Sequence, residues 1–243
     1  MKSPNTIDVL NYQVFTDNLV PNQMPATGII NTINPHSYCV AKQDKVFAQA
    51  LMASDILLPD GVGIVWAAKF LKQQKINKIA GYDIFIHSMQ VLNQQSGSCF
   101  FLGASNQTLD KIKQRAAIDF PNVTVNTFSP PYKPEFSKED NVNMVAQVNQ
   151  AQPDILFVGL TAPKQEKWIY QNKQNLDVKT TCAIGAVFDF YAGTIQRPSQ
   201  FWINLGLEWL PRLVKEPKRL FYRNFVSTPK FIFYVFKHRI FKG

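Results

Sequence analysis

The chain has 243 residues, of which 46% are hydrophobic and 18% charged, and its formal net charge is +9. That length and apolar content suit one large α/β domain, or a domain with an appendage, and exclude a disordered chain. No run approaches the roughly 18 apolar residues of a membrane-spanning helix, and Met1 to Asn5 has no apolar leader core, so neither a spanning segment nor an export signal is expected.

In chain order, residues 7–15 read as an edge strand or hairpin, and Thr16 to Thr27 as a loop rich in Pro and Asn. Gly28 to Asn34 is a short β-branched strand. Pro35 opens a helix whose apolar face carries Val40, Phe47, Ala50 and Leu51. Side chains at Thr32 and Asn34 point the same way by the two-residue period of a strand. Asp55 to Gly63 (Asp-Ile-Leu-Leu-Pro-Asp-Gly-Val-Gly) is a buried strand, a tight turn and the start of an amphipathic helix. Asp83 reads as the cap of a helix running to about Gln95. Ser98 to Gly103 is a strand, Ala104-Ser105 opens a helix to Asp119, and Val123 to Thr127 is a strand. Residues 138–150 form a polar helix, Asp154 to Gly159 the clearest strand, Thr161 to Tyr170 loop and helix, and Thr181 to Val187 a last strand. The alternation predicts an α/β fold, a Rossmann-like and mostly parallel sheet with helices on both faces.

The charge is unevenly placed. From Gln196 to Gly243 ten Lys and Arg face only Glu208 and Glu216, a balance of +8, and eleven aromatics accompany them. This shift sets a candidate boundary: a catalytic α/β domain over 1–195, and a small, helical, basic and aromatic appendage over 196–243. Phe221, Phe225 and the run Phe231 to Phe236, interleaved with Lys and Arg, suit a helix lying in a membrane interface, and packing of that helix on the domain is the alternative. Cys39, Cys99 and Cys182 are widely spaced and read as buried, reduced thiols.

Asp60 carries two readings. It precedes a helix and so suits an N-cap, the reading this stretch alone favours. It also lies at the carboxyl end of a strand, where ligands bind in parallel sheets. Gly103-Ala104 and Gly159 to Ala162 follow strands and precede helices, so their free N–H groups suit a phosphate. Lys164 or Gln165, on the next helical turn, suits a phosphate or a sugar hydroxyl, whereas Lys167 reads as solvated. Asp189 is an acid in an apolar run, and a hydrogen-bonded structural role and a functional one stand equal for it. His36, His87 and His238 are isolated and read as structural or solvated. No dinucleotide or P-loop glycine pattern, no Asp-x-Asp and no metal-ligand spacing occurs, so neither a cofactor nor a catalytic metal is expected.

Together the stretches Thr32-Ile33-Asn34-Pro35, Leu58 to Gly63, Ala80 to Asp83, Phe101 to Gly103, Val158 to Glu166, Gly185 to Gly193 and Gly206 to Leu213 resemble the WecG/TagA/CpsF glycosyltransferases. The likeness runs in order from about residue 8 to 225. Lys78 stands where the family usually has Arg, and Gln196 to Ser199 replaces its usual Arg-Ala-Pro run. The resemblance implies a metal-independent, inverting transfer of a hexosyl unit from a UDP-sugar. The unit is N-acetylmannosamine, its uronic acid or a related sugar, and the acceptor is a polyprenyl-diphosphate-linked saccharide in cell-surface polysaccharide synthesis, such as wall teichoic acid or capsule. It makes Asp60 the general base, with Thr32 and Asn34 holding the reacting sugar or acceptor. Gly61, Lys78, Gly103, Gly159, Lys164, Gln165, Glu166 and Asp189 are then substrate-binding positions. Arg212, Arg219 and Arg223 meet the charge of the leaving diphosphate. The expected setting is the cytoplasmic face of the inner membrane, peripherally bound, with self-association through the catalytic domain. Two rivals are a nucleic-acid-binding protein with the basic tail as its footprint, and a Rossmann-type nucleotide-dependent oxidoreductase. A nearly neutral first 195 residues counts against the former and the missing glycine fingerprint against the latter.

Overall fold

A computed structural model describes residues 4–23, 27–199, 201–202, 207–215 and 217–242, without the side chains of Arg212, Val214, Lys215, Lys218, Arg219 and Lys242. The expectations at Arg212 and Arg219 therefore lie outside the described residues.

The chain opens with an antiparallel hairpin, β1 (Thr6–Val9) and β2 (Tyr12–Phe15), which forms its own two-stranded sheet. The main sheet has six strands, β3 (Gly28–Ile33), β4 (Ile56–Pro59), β5 (Ser98–Gly103), β6 (Thr124–Phe128), β7 (Ile155–Gly159) and β8 (Thr180–Ala183), in spatial order β4-β3-β8-β7-β5-β6. Every pairing in it is parallel. The strands read as near-continuous apolar runs because both faces are covered.

On one face, Ile30, Leu58, Phe101 and Phe157 pack against α4 (Gly81–Gln95), α5 (Asn106–Asp119) and α8 (Val187–Tyr191). On the other, Phe100, Leu102, Leu156 and Val158 pack against α6 (Lys138–Ala151) and α7 (Lys164–Asn172). A further cluster joins Ile33 and Leu57 to the hairpin and to α1 (Pro35–Ala41), α2 (Lys45–Met52) and α3 (Val62–Lys72). The chain after residue 206 contributes α9 (Trp209–Lys215), α10 (Pro217–Phe221), a π-helical turn over Tyr222–Ser227 and α11 (Thr228–Lys242). Phe231 and Val235 of α11 are fully buried in the cluster that holds the hairpin and α1, and Phe231 stands edge-on to Tyr38 at 5.4 Å. The opposite face of α11 leaves Phe233, Phe236, Ile240 and Phe241 exposed.

Three local expectations change. The single helix after Pro35 is two helices, because Asp44 caps a fresh start by accepting from the Phe47 N–H at 3.0 Å. The last strand ends at Ala183, and Val187 begins α8 after the turn at Gly185, whose φ is +45°. Asp83 is the third residue of α4, not its cap, and its carboxylate accepts from the Ala80 N–H at 2.9 Å. Cys99 and Cys182 are buried as expected, whereas Cys39 is only half-buried.

The helix after β3 goes to one face of the sheet, with Tyr38 and Ala41 in the hairpin cluster, and the helix after β8 goes to the other, with Val187 and Phe188 against α4. Between the carboxyl ends of these adjacent strands the chain diverges, which opens a crevice where ligands bind in sheets of this kind.

Candidate active site

That crevice is a cleft of about 270 Å³. Thr32 and Asn34 enter it from the end of β3, Asp60 from the end of β4, Ile184 and Gly185 from the end of β8, and Gln165 and Glu166 from α7.

Asp60 is not a helix cap. The cap position of α3 belongs to Gly61, at φ +94°, and no side chain bonds the helix start there. A side chain at that φ is strained, so glycine is what lets the strand turn directly after Asp60. The Asp60 backbone N–H donates to the Ile33 carbonyl at 2.9 Å, which ties the turn to the end of β3. Asn34 caps α1: its Oδ1 accepts from the Ser37 N–H at 3.0 Å, and the Ser37 hydroxyl accepts from the Asn34 N–H at 2.8 Å. With Oδ1 so used, Nδ2 faces Asp60 and donates to Oδ2 at 3.4 Å. Burial raises the Asp60 pKa above the ordinary aspartate value, and Glu208 adds to the rise. Arg223, the Asn34 bond and Lys78 pull the other way. A carboxylate held this way is a proton acceptor moved towards neutral pH.

Arg223 lines the cleft from the π-helical turn. Lys78 pairs with Glu208, itself a lining residue, at 3.3 Å and so stands at the rim. The opposite wall pairs Gln165 and Glu166, both nearly fully buried. The Gln165 amide donates to Glu166 Oε1 at 2.9 Å, while Gln165 Oε1 and Glu166 Oε2 have no partner among the described residues. Desolvation pushes the Glu166 carboxyl up to about 7. A Cβ on Gly185 would lie 3.2 Å from Gln165 Oε1, so the glycine leaves that oxygen room.

The structure thus brings together Thr32, Asn34, Asp60, Gln165, Glu166 and Arg223, with Lys78 at the edge. Of the expected helix start after β7, Thr161 and Ala162 line the cleft, whereas Gly61, Gly103, Gly159, Lys164 and Asp189 lie off the lining. Gly61 forms the turn under Asp60. At Gly103 a Cβ would meet the Gly159 carbonyl at 2.5 Å, and at Gly159 the Phe188 ring at 2.7 Å, so both glycines serve close packing at strand ends. Lys164 turns outward, donating to the Lys133 carbonyl and lying 3.6 Å from the Phe136 ring centre. Asp189 accepts from the Thr194 hydroxyl at 3.3 Å. Lys167, expected to be solvated, pairs with Asp44 at 2.9 Å and ties α7 to α2.

Four ionisable lining residues had been given no role at the site by the sequence: His36, Tyr82, Arg197 and Glu208. Arg197 lies 4.0 Å above the Tyr82 ring centre and 3.6 Å from Asp83, and so folds the chain after β8 over the start of α4. His36 shares a hydrogen bond with the Ser227 hydroxyl at 2.9 Å, across 191 residues of chain, and burial together with Arg223 lowers its pKa. The Arg-Pro pair at 197–198 and the Pro-His pair at 35–36 were the available signals; nothing local says what either side chain meets. Among the described residues no three His, Cys, Asp or Glu gather as a metal site.

Comparison with known proteins finds one family and a set of similarly named relatives. A family model described as "Glycosyl transferase WecG/TagA/CpsF family" matches residues 4–243. A Bacillus subtilis (strain 168) protein named N-acetylglucosaminyldiphosphoundecaprenol N-acetyl-beta-D-mannosaminyltransferase is 29% identical over 86% of this chain and 79% of its own. Its namesake from Bacillus spizizenii is 30% identical over the same shares. A third, from Staphylococcus aureus (strain MW2), is 23% identical over 89% of this chain and 82% of its own.

Proposed function

Because the chain belongs to the WecG/TagA/CpsF family of glycosyl transferases, we propose that it moves an N-acetylmannosamine-type hexosyl unit from a UDP-sugar to a polyprenyl-diphosphate-linked saccharide. The transfer inverts the anomeric centre and needs no metal. The observation that carries this reading is Asp60 at the base of a crevice at the carboxyl ends of the strands, with the Asn34 amide on its carboxylate and Arg223 beside it.

In this mechanism Asp60 takes the proton from the acceptor hydroxyl as that oxygen attacks the anomeric carbon from the face opposite UDP. One bond forms, the bond to the diphosphate oxygen breaks, and the configuration inverts. Thr32 and Asn34 hold the reacting hydroxyls. Negative charge grows on the leaving diphosphate. Arg223 and Lys78 meet it, and the expected contributions of Arg212 and Arg219 belong to the same part of the proposal. Gln165 and Glu166 supply polar contacts on the wall facing Asp60. Gly103, Gly159, Lys164 and Asp189 stay in the proposal only as residues around the donor end.

The acceptor named for the relatives is lipid-linked, so a seat on the cytoplasmic membrane face is part of the proposal. Supporting it, α11 leaves Phe233, Lys237, Ile240 and Phe241 exposed. Among the described residues no helix is long and apolar enough to cross a membrane. Such a basic, aromatic face suits a helix lying in the interface.

The test is acceptor-dependent UDP release by the full-length protein in detergent, with EDTA present. A synthetic polyprenyl-diphosphate N-acetylglucosamine serves as acceptor and UDP-sugars are supplied one at a time. Release from one 2-acetamido donor is the expected result. Release that requires an added divalent ion would overturn the metal-independent part, and absence of release from every donor would overturn the assignment of substrates.

A further inference from the structure

A second concavity, of about 490 Å³, lies between α1, the π-helical turn and α11. Its walls include Val40, Tyr222, Phe233 and Tyr234. Among the described residues Lys230 is its one charged lining residue, and no acid lines it. Tyr222 is 50% exposed and Phe233 63%, so aromatic surface stands uncovered here. Lys42 adds a second cation 5.8 Å above the Tyr234 ring centre.

The groove adjoins the catalytic cleft. Val40 lines both. Between them stands one layer of side chains, closed by the His36–Ser227 hydrogen bond and by Tyr222, whose ring meets His36 edge-on at 6.3 Å. Arg223 sits next to Tyr222 on the same turn and lines the cleft side. From Asp60, a path to the groove therefore passes a cation and then reaches apolar walls flanked by two more cations.

We propose that this groove is the subsite for the polyprenyl chain of the lipid-linked acceptor. The inference rests on the proposed function and extends it. An acceptor of that class is linear in its chemistry: reacting hydroxyl, sugar, diphosphate, then an apolar chain. With the hydroxyl at Asp60, the diphosphate passes over the outer edge of the His36–Ser227 wall towards Lys230, and the first isoprene units lie against Val40, Tyr222, Phe233 and Tyr234. Lys230 and Lys42 attract the anionic end and repel no part of the ligand. The groove opens beside the exposed aromatic face of α11, so the rest of the chain is directed towards a membrane on which that face rests. This gives the π-helical turn a double task, with Arg223 presented to one compartment and Tyr222 to the other.

The test uses the full-length protein and a detergent-dispersed long-chain polyprenyl phosphate, with calorimetric binding as the readout and no donor present. Gln43→Trp fills the groove mouth, and Tyr222→Ser, off the membrane-facing side of α11, removes a wall. Both positions are exposed, and an unchanged urea midpoint checks the fold. Either change is expected to weaken polyprenyl phosphate binding about tenfold or more, the loss that follows from uncovering one aromatic wall. Partition to phosphatidylglycerol vesicles is expected to stay as in the wild type. Unchanged polyprenyl phosphate binding in both variants would overturn the subsite. So would a parallel loss of vesicle binding, which would give the groove to a phospholipid acyl chain. Transfer by the wild type to a short-chain, water-soluble acceptor tests the parent reading separately. If that transfer is absent while the variants still lose polyprenyl phosphate, the groove stands and the assigned reaction falls.

Discussion

Replacing Glu166 with glutamine is expected to stabilise the protein in a pH-dependent way. The side chain is 2% exposed and its Oε2 has no partner among the described residues. Burial raises its pKa from the ordinary glutamate value to about 7. At a pH below the unfolded value, both states hold the proton and the group contributes nothing to pH dependence. As pH rises from about 4.5 to about 7 the unfolded chain ionises while the folded one resists, so the unfolded state gains and stability falls. A tenfold difference in acidity between the two states corresponds to about 1.4 kcal/mol, so the wild type loses on the order of 3 kcal/mol across that window. Glutamine cannot ionise. Its carbonyl can still accept from the Gln165 amide, as Oε1 does at 2.9 Å. Urea unfolding of both proteins near pH 4.5 and near pH 8, with the slopes compared, reads this directly. Glu166→Gln is expected to match the wild type within about 1 kcal/mol at the lower pH and to exceed it by about 3 kcal/mol at the higher. A stability difference that stays constant between the two pH values would refute the reasoning, because it would mean that Glu166 does not resist ionisation in the fold.

Other substitutions probe other parts of the structure. Phe231→Ala empties a fully buried position between α11 and Tyr38, and should cost about 3–5 kcal/mol in urea unfolding; a loss below about 1 kcal/mol would mean that α11 is not docked there. Gly61→Ala meets no atom of the described residues within 4 Å but must hold φ near +94°. A stability loss of about 1–3 kcal/mol is expected, with turnover falling further as the Asp60 turn shifts; unchanged turnover would contradict the role given to that turn. Lys237→Gln removes one charge from the exposed face of α11 and should weaken binding to anionic vesicles about fivefold at low salt. Vesicle binding that ignores both this change and added salt would remove α11 from the membrane contact.

Much of the fold was legible because local chemistry and global architecture agree. The runs from Ser98 to Gly103 and from Asp154 to Gly159 are apolar, short and bounded by turn residues, which is how strands buried on both faces read. The break at Asp44 was missed because Val40, Phe47 and Leu51 keep one apolar face across it, and both halves pack into the same cluster. Val187 was read into the strand because it is β-branched in an apolar run, yet the turn at Gly185 had already ended the ladder.

At the site, what strand ends dictate could be read: Thr32, Asn34 and Asp60 sit where the two-residue period and the Pro-Asp-Gly turn put them. What distant partners decide could not be read. Lys164 and Gln165 are sequence neighbours on one helical turn, but the loop at Lys133 to Phe136 draws the lysine away while the glutamine faces inward. Likewise the Thr194 hydroxyl engages Asp189, and Ser227 is what turns an isolated His36 into part of a wall.

The measurement that bears most directly on the central claim is the turnover of Asp60→Asn with its UDP affinity measured on the same preparation. Asparagine keeps the size and the contact with Asn34 but cannot accept the proton. With the base absent, turnover should fall by about a hundredfold to ten-thousandfold while the fold and UDP binding persist. In the wild type, activity should fade on acidification at a pH above the ordinary aspartate range, because burial raises the Asp60 pKa. Near-normal turnover by Asp60→Asn, with UDP bound as in the wild type, would contradict the claim and leave the cleft without its base.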